Sequence, residues 1–313
     1  MKKLVLVGLI AACGSVSSEK MDASSADTPK QVDAAPDSST RRCDPTKPFD
    51  VPARFSELSS SSNDLWPSVT TDELTIYFHS DRGGTGTLGM DDIFVATRPS
   101  LSASFGVPAV VANVNNVSYD QCPSISGDGL FLYTDRLASG STGWDIWAAQ
   151  RASTTVDFGA PTRVDSLNAS GPTQDSNQYV LPDNSAIYFA SSRISTSNFE
   201  LYRATRNVGG TFDAATPTIM LPASNEGSVV VTPDELTMYF SSDASPTLGT
   251  YDIWMSKRTT AADGWGTPTH LTELSSDQMD YVSAISADGC NIYLSHYENA
   301  GTAQELYWAR KPL

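Results

Sequence analysis

Apolar and polar residues alternate one by one over much of the chain. In one stretch Leu74, Ile76 and Phe78 interleave with Thr75, Tyr77 and His79. A period of two puts successive side chains on opposite faces of a strand, and these stretches are rich in β-branched and aromatic residues. No convincing amphipathic helix pattern follows the first thirteen residues. The expected class is all-β.

The alternating segments recur. TDELTIYF, GDGLFLY, PDNSAIYF, PDELTMYF and ADGCNIY each hold an Asp at the same place, at Asp72, Asp128, Asp183, Asp234 and Asp288. The successive spacings are 56, 55, 51 and 54 residues, a near-constant period that identifies a repeat architecture. Two further columns hold the register. An acid, an aliphatic and an aromatic stand together at Asp92-Ile93-Phe94, Asp145-Ile146-Trp147, Glu200-Leu201-Tyr202, Asp252-Ile253-Trp254 and Glu305-Leu306-Tyr307. Six residues past each acid is a base: Arg98, Arg151, Arg206, Arg258 and Lys311.

Each repeat reads as four short antiparallel strands, the unit of a β-propeller blade. Pro67 and Pro123 fall in first strands, where a free edge facing the channel tolerates a missing N–H. The last repeat stops after its third strand at ELYWARKPL. FDVPARFSEL (49–58) matches the fourth-strand segments FGAPTRVDSL (158–167) and WGTPTHLTEL (265–274). The N-terminal segment is therefore expected to complete the last blade, closing a ring of five and removing an open sheet edge. An open array or a six-bladed ring completed by another chain is the alternative.

PSVTTDELTIYFHSDRGG followed by DDIFVATR resembles the WD-like repeat of TolB-like β-propellers of the bacterial envelope, and all five repeats match to some degree. The third departs most, with Asn184 and Glu200 at usual Gly and Asp positions. The resemblance implies an exported binding or scaffolding propeller. TolB itself carries an additional N-terminal domain that is not matched here, so its partners do not carry over.

The N-terminus supports export. MKKLVLVGLIAAC sets two lysines before a nine-residue apolar run, too short to span a bilayer, and Ile10-Ala11-Ala12-Cys13 resembles a lipobox, which implies acylation of Cys13 and anchoring to the outer membrane. Residues 1–13 read as the signal segment, 14–47 as a disordered Ser/Asp/Ala/Pro tether that buries too little apolar surface to fold, and 48–313 as the propeller. The formal charge of −16 excludes nucleic acid as a partner, since phosphate binding needs clustered Lys and Arg. Cys43, Cys122 and Cys290 lack metal-ligand spacing and their odd number leaves one thiol over. Cys43 precedes the closing strand of the blade that contains Cys290, which makes Cys43–Cys290 one candidate bond.

One more acidic column bears on function. Asp64, Asp120, Asp175, Glu226 and Asp280 each lie eight residues before the turn Asp, at the start of the innermost strand, and form a candidate acidic ring at one mouth of the channel. Asp81, Asp135 and Asp243, at second-strand ends, and the third-strand acids share that face, and the bases lie on the other, beside the turn acids. Five carboxylates about 10 Å apart repel by about 0.4 kcal/mol per pair in water and about 1.7 kcal/mol at an effective dielectric of 20. Either each acid caps its own loop or the ring holds a cation, for which calcium is the candidate; no other cofactor is expected.

Catalytic signals are weak. The loop DRGGTGTLGMDD lacks the GK[ST] of a phosphate loop, there is no GxSxG segment, and His79, His270 and His296 fall in three different blades. His79 and His270 are expected at the surface or between blades. The reading that emerges is a non-enzymatic, lipid-anchored envelope propeller that binds another envelope protein or a cell-wall or extracellular polymer. The alternatives are a glycoside hydrolase or lyase using channel acids such as Asp64, Asp120 and Asp280, and a purely structural surface lipoprotein.

Overall fold

The computed structural model describes residues 42–137, 143–195, 198–219, 221, 224–297 and 304–313. Cys13 and residues 14–41 of the tether lie outside them. Among the described residues there is no helix, and twenty strands form five four-stranded antiparallel sheets.

Blade 1 contains β2 (Asp64–Val69), β3 (Thr75–Ser80), β4 (Asp92–Thr97) and β5 (Ala109–Val110). Blade 2 contains β6 (Tyr119–Ile125), β7 (Phe131–Leu137), β8 (Asp145–Gln150) and β9 (Thr162–Arg163). In blade 3 the strands are β10 (Asp175–Val180), β11 (Ala186–Ser195), β12 (Asn198–Thr205) and β13 (Thr216–Pro217), and in blade 4 β14 (Glu226–Val231), β15 (Thr237–Ser242), β16 (Asp252–Lys257) and β17 (Thr269–His270). Blade 5 has β18 (Asp280–Ile285), β19 (Asn291–Tyr297) and β20 (Gln304–Arg310), with β1 (Ala53–Arg54) as its outer strand.

The first strand of each blade contacts the first strands of both neighbours, including β18 against β2, so the ring closes at five. Closure uses the segment expected: Ala53 pairs with Trp308 as Ala109 pairs with Val95. The outer strands are shorter than the ten-residue segments suggest, two residues each. The folded chain also begins earlier than residue 48, because Cys43 is buried and bonded to Cys290, and the Asp44 N–H donates to the Pro312 carbonyl. Residues 42–47 thus belong to the propeller and not to the tether.

The repeated words are explained by packing. In all five repeats the turn carboxylate accepts the N–H two residues on, from Leu74, Leu130, Ser185, Leu236 and Cys290, an Asx turn. The next residue then takes positive φ, at Glu73 (55°), Gly129 (72°), Asn184 (56°), Glu235 (55°) and Gly289 (69°). Glu73, Asn184 and Glu235 use this pose to accept the tyrosine hydroxyl of the preceding blade, from Tyr293, Tyr133 and Tyr188. The strand-centre residues Tyr133, Tyr188, Tyr239 and Tyr293, with Phe78, Phe189 and Phe240, are enclosed between sheets. Each such side chain contributes about 1.5–3 kcal/mol by burial.

The bases at the third-strand ends do not pair with the turn acids as the sequence suggests. Arg98, Arg151 and Arg258 donate through Nε to the carbonyls of Glu73, Gly129 and Glu235. Their guanidiniums lie 4.2–4.5 Å from the ring centroids of Phe105, Phe158 and Trp265. A planar cation gains more from a carbonyl and an aromatic face at a blade junction than from an exposed ion pair.

Candidate channel-mouth site

The five ring acids are fully buried, and their hydrogen bonds are those of loop caps. Asp64 accepts the Ser60 N–H, Asp120 that of Asn116, Asp175 that of Ala169 and Asp280 that of Ser276, at 2.6–2.7 Å. Each of the four also faces a base, respectively Arg82, Arg136, Arg193 and His296. The three arginines reach on to the carbonyls of Leu58, Val114 and Leu167, tying the connector between blades to the strand it enters. Satisfied in this way, these carboxylates do not present an open acidic ring to a cation, and no cluster of three or more His, Cys, Asp or Glu suited to a metal occurs among the described residues.

Blade 4 is the exception. Ser242 stands opposite Glu226 as Ser80 and Ser191 stand opposite Asp64 and Asp175, but two residues on Ala244 takes the place of Arg82 and Arg193. Glu226 takes hydrogen bonds from the Ser224 and Ser242 hydroxyls, and its Oε2 is buried without a partner. Burial, with Glu200 and Asp243 adding repulsion, lifts its carboxyl to about 7. Among the third-strand acids, those of blades 1 and 3 lack a base on the outer strand, and in blade 1 Val110 stands at that place opposite Phe94. Asp145, Asp252 and Glu305 meet Arg163, His270 and Arg54 on the outer strand. Tyr202 is instead paired with Pro217, and Glu200 keeps a buried oxygen with no partner.

The repeats differ most inside the mouth. All five innermost strands bulge near their third residue, and in three of them that residue is forced to positive φ: Trp66 (54°), Cys122 (48°) and Asn177 (56°). Such backbone costs about 1–3 kcal/mol per residue and persists where surrounding contacts fix it. Here the fixing contacts come from the preceding blade's second strand. The Trp66 N–H donates to Ser295 Oγ, Cys122 to His79 Nδ1, Asn177 to Asp135 Oδ2 and Val282 to Ser241 Oγ, at 2.8–3.2 Å. The acceptors occupy one strand position, filled by a different residue in most blades, with Ala190 as its fifth member.

This column corrects one grouping made from the sequence. Asp81 and Asp243 are equivalent, each accepting from the backbone and side chain of Asn63 or Asn225. Asp135 lies two positions earlier and points into the channel wall. It is buried, its Oδ1 has no partner, and burial raises its carboxyl to about 7. His79 is an inter-blade residue, with burial lowering its imidazole to about 3. His270, partly exposed on the outer strand of blade 4, faces Asp252 and stacks 4.9 Å from Trp254.

Around these residues the mouth has two unlike halves. On one side Trp66 stacks between His79 (5.7 Å) and Tyr281 (4.9 Å), and Tyr281 continues to Tyr251 (5.4 Å) and Tyr297 (6.1 Å). Room for Tyr281 comes from Gly227, where a Cβ would lie 2.9 Å from the tyrosine ring. The other half is polar. Gln121 donates to Asp91, whose carboxyl is raised by burial, and Asn177 accepts the Cys122 thiol at 3.1 Å. Cys122, His79 and Asp135 do not form a nucleophilic triad. The histidine accepts a backbone N–H, the thiol donates to an amide, and burial pushes the thiol above its ordinary range. At the other ends of the innermost strands, residues such as Val69, Ile125, Val180 and Ile285 line a small cavity of about 20 Å³.

No single sequence signal marks Trp66, His79, Asp135, Asn177 and Tyr281 together, because they are departures from the repeat and not conformity to it. Comparison with known proteins finds no matching family model and no matching curated protein. Among solved structures the chain is similar to a glycoside hydrolase, at 9% identity and TM-score 0.57, covering 85% of this chain and 92% of that one. The catalytic domain of a Coprinopsis cinerea GH62 α-L-arabinofuranosidase matches at 12% identity and TM-score 0.50, covering 85% and 97%. TolB from Acinetobacter baumannii matches at 18% identity and TM-score 0.47, covering 81% of this chain and 55% of that one, so the chain spans about half of TolB's length. The likeness at these identities is one of fold: the chain is an all-β propeller of five four-stranded blades.

Proposed function

We propose that this protein is a non-enzymatic binding module of the bacterial cell envelope, exported and held to the outer membrane through an acylated Cys13. Its ligand is another envelope protein or a cell-wall or extracellular polymer, taken at the mouth formed by Trp66, Gln121, Asn177 and Tyr281. One observation carries this reading. The repeated acids and bases are engaged in building blades, whereas the mouth holds non-periodic polar and aromatic side chains on backbone fixed at a conformational cost. A scaffold that needed only to stand would not require that difference between blades.

The test is crosslinking and affinity capture from native envelopes, with purified polymers offered separately, using the parent chain, Cys13→Ala and Trp66→Ala. A partner retained by the parent and lost from Trp66→Ala, with the melting temperature unchanged, supports the reading. Capture unaffected by Trp66→Ala overturns the assignment to the mouth, and release of glycerol-linked acyl chains from the parent but not from Cys13→Ala tests the anchor. Asp135 favours a second reading, a glycan-cleaving enzyme, because a carboxyl that remains partly protonated near neutral pH suits a general acid. Several solved structures of this fold are named as hydrolases. Its free oxygen is shielded, so cleavage of a polysaccharide panel abolished by Asp135→Asn would be needed to prefer that reading.

A further inference from the structure

The clefts between neighbouring blades at the outer rim supply a natural comparison. The cleft between blades 1 and 2 measures about 400 Å³ and that between blades 2 and 3 about 340 Å³. Their counterpart between blades 5 and 1, where the chain closes on itself, measures about 470 Å³. All three are of a size that holds small ligands. They differ in what stands at equivalent strand positions. The place of Arg310 is taken by Thr97 and Gln150, and that of Trp308 by Val95 and Ala148. Arg42, brought in by the segment bonded through Cys43, has no counterpart in the other two.

Four guanidiniums, Arg42, Arg54, Arg98 and Arg310, therefore line the closure cleft beside Trp308 and Phe55, with Glu57 as the acid on its wall. The cleft between blades 1 and 2 instead carries Asp72, Asp128 and Asp157 against Arg151. Two of the four cations are compensated from beneath: Arg42 by Glu73 and Asp288, and Arg54 by Glu305. Arg98 and Arg310 have no carboxylate partner among the described residues. Both are nevertheless held in place, Arg98 by the Glu73 carbonyl at 2.8 Å and the Phe105 ring at 4.5 Å, and Arg310 by the Arg42 carbonyl at 2.7 Å. Pre-positioned guanidiniums lose little freedom when a carboxylate arrives and can grip it with two parallel hydrogen bonds. Trp308 is partly exposed and offers an apolar face beside them.

We propose that the closure cleft is a second binding site, for an acidic glycan whose sugar ring lies against Trp308 while its carboxylates pair with Arg310 and Arg98. This site is separate from the channel mouth and does not depend on its assignment. In a chain of formal charge −16, it is a cationic concave surface able to receive a polyanion that the rest of the molecule repels.

The test is titration of the purified protein with a tri-galacturonate oligomer, a neutral galactose trimer and inorganic phosphate, read by tryptophan fluorescence and calorimetry at low and at physiological salt. Binding of the uronate trimer at least tenfold tighter than either control is expected. That binding should weaken about tenfold in Arg310→Gln and again in Arg98→Gln, weaken with salt, and remain unchanged in Trp66→Ala. Arg310 is exposed, so Arg310→Gln should fold as the parent does, and its melting curve verifies this. Equal binding of the neutral trimer, or a uronate affinity untouched by Arg310→Gln, overturns the proposal. Phosphate binding as tightly as the uronate also overturns it, since the cleft would then be a general anion site.

Discussion

Replacing Glu226 by Gln should stabilise the protein above neutral pH, because this carboxylate lacks the base that its four equivalents face. The side chain is wholly enclosed and its Oε2 has no partner. Its carboxyl is raised from 4.5 to about 7, first by burial and then by Glu200 and Asp243. The folded state therefore holds a proton that the unfolded chain releases near pH 4.5. The stability contributed by the protonated group is fully present below pH 4.5 and is lost as pH rises to about 7. At roughly 1.4 kcal/mol per pKa unit, the loss is about 3 kcal/mol. Glutamine keeps the shape and the acceptor oxygen for Ser224 and never ionises. Scanning calorimetry from pH 4.5 to 8 should show parent and Glu226→Gln melting within about 2 °C of each other at the acid end. At pH 8 the variant should melt about 6–12 °C higher, at roughly 2–4 °C per kcal/mol. Asp135 also titrates near 7, so the readout is the difference between the two proteins and not the parent's own curve. A difference that stays flat with pH, or a variant less stable at pH 8, refutes the reasoning.

Arg193→Met should destabilise by about 3–5 kcal/mol in denaturant titration at pH 7, because it leaves Asp175 charged and enclosed; a loss under 1 kcal/mol would show that the loop N–H suffices. Cys290→Ala, or reduction of the parent, should cost about 2–5 kcal/mol, since the Cys43–Cys290 bond closes a loop of 247 residues. Non-reducing peptide mapping checks the pairing, and an unchanged melt would argue against it. His79→Phe removes the acceptor for the Cys122 N–H, which should cost about 1–3 kcal/mol and speed exchange of that amide. The Cys122 thiol, buried and raised in pKa, should resist maleimide until the protein unfolds, and rapid labelling of the native protein would contradict its placement.

The fold was legible because a propeller writes the same requirement into each repeat. Asp72 and Asp234 must cap the same turn, and Glu73 and Glu235 must receive the hydroxyl of the blade before, so DELTIYF and DELTMYF converge on the same residues. Closure by residues 49–58 could be read for the same reason. Pairing partners were less legible. The spacing of Arg98 to Asp72 says nothing about whether a guanidinium will prefer that carboxylate or a carbonyl and a phenyl ring, and the packing chose the latter. Cys43 looked like part of a tether because its neighbours are polar. Only the partner 247 residues away makes it structural.

The candidate site was hardest to read because periodic analysis discards what does not repeat. Asp64, Asp120, Asp175, Glu226 and Asp280 drew attention as a column, yet a residue kept in every blade is under a constraint every blade shares, here the joining of a connector to its strand. A ligand that meets a ring from one end touches unequal blades. The residues that serve it must therefore break the column, as Trp66, Asn177 and Tyr281 do in the innermost strands and His79 and Asp135 do in the second. The same logic holds at the rim, where Arg310 and Trp308 replace Thr97 and Val95 at matched positions. In a repeat protein of this kind the conserved column reports architecture, and the exception at a strained or enclosed position is where binding chemistry should be tested.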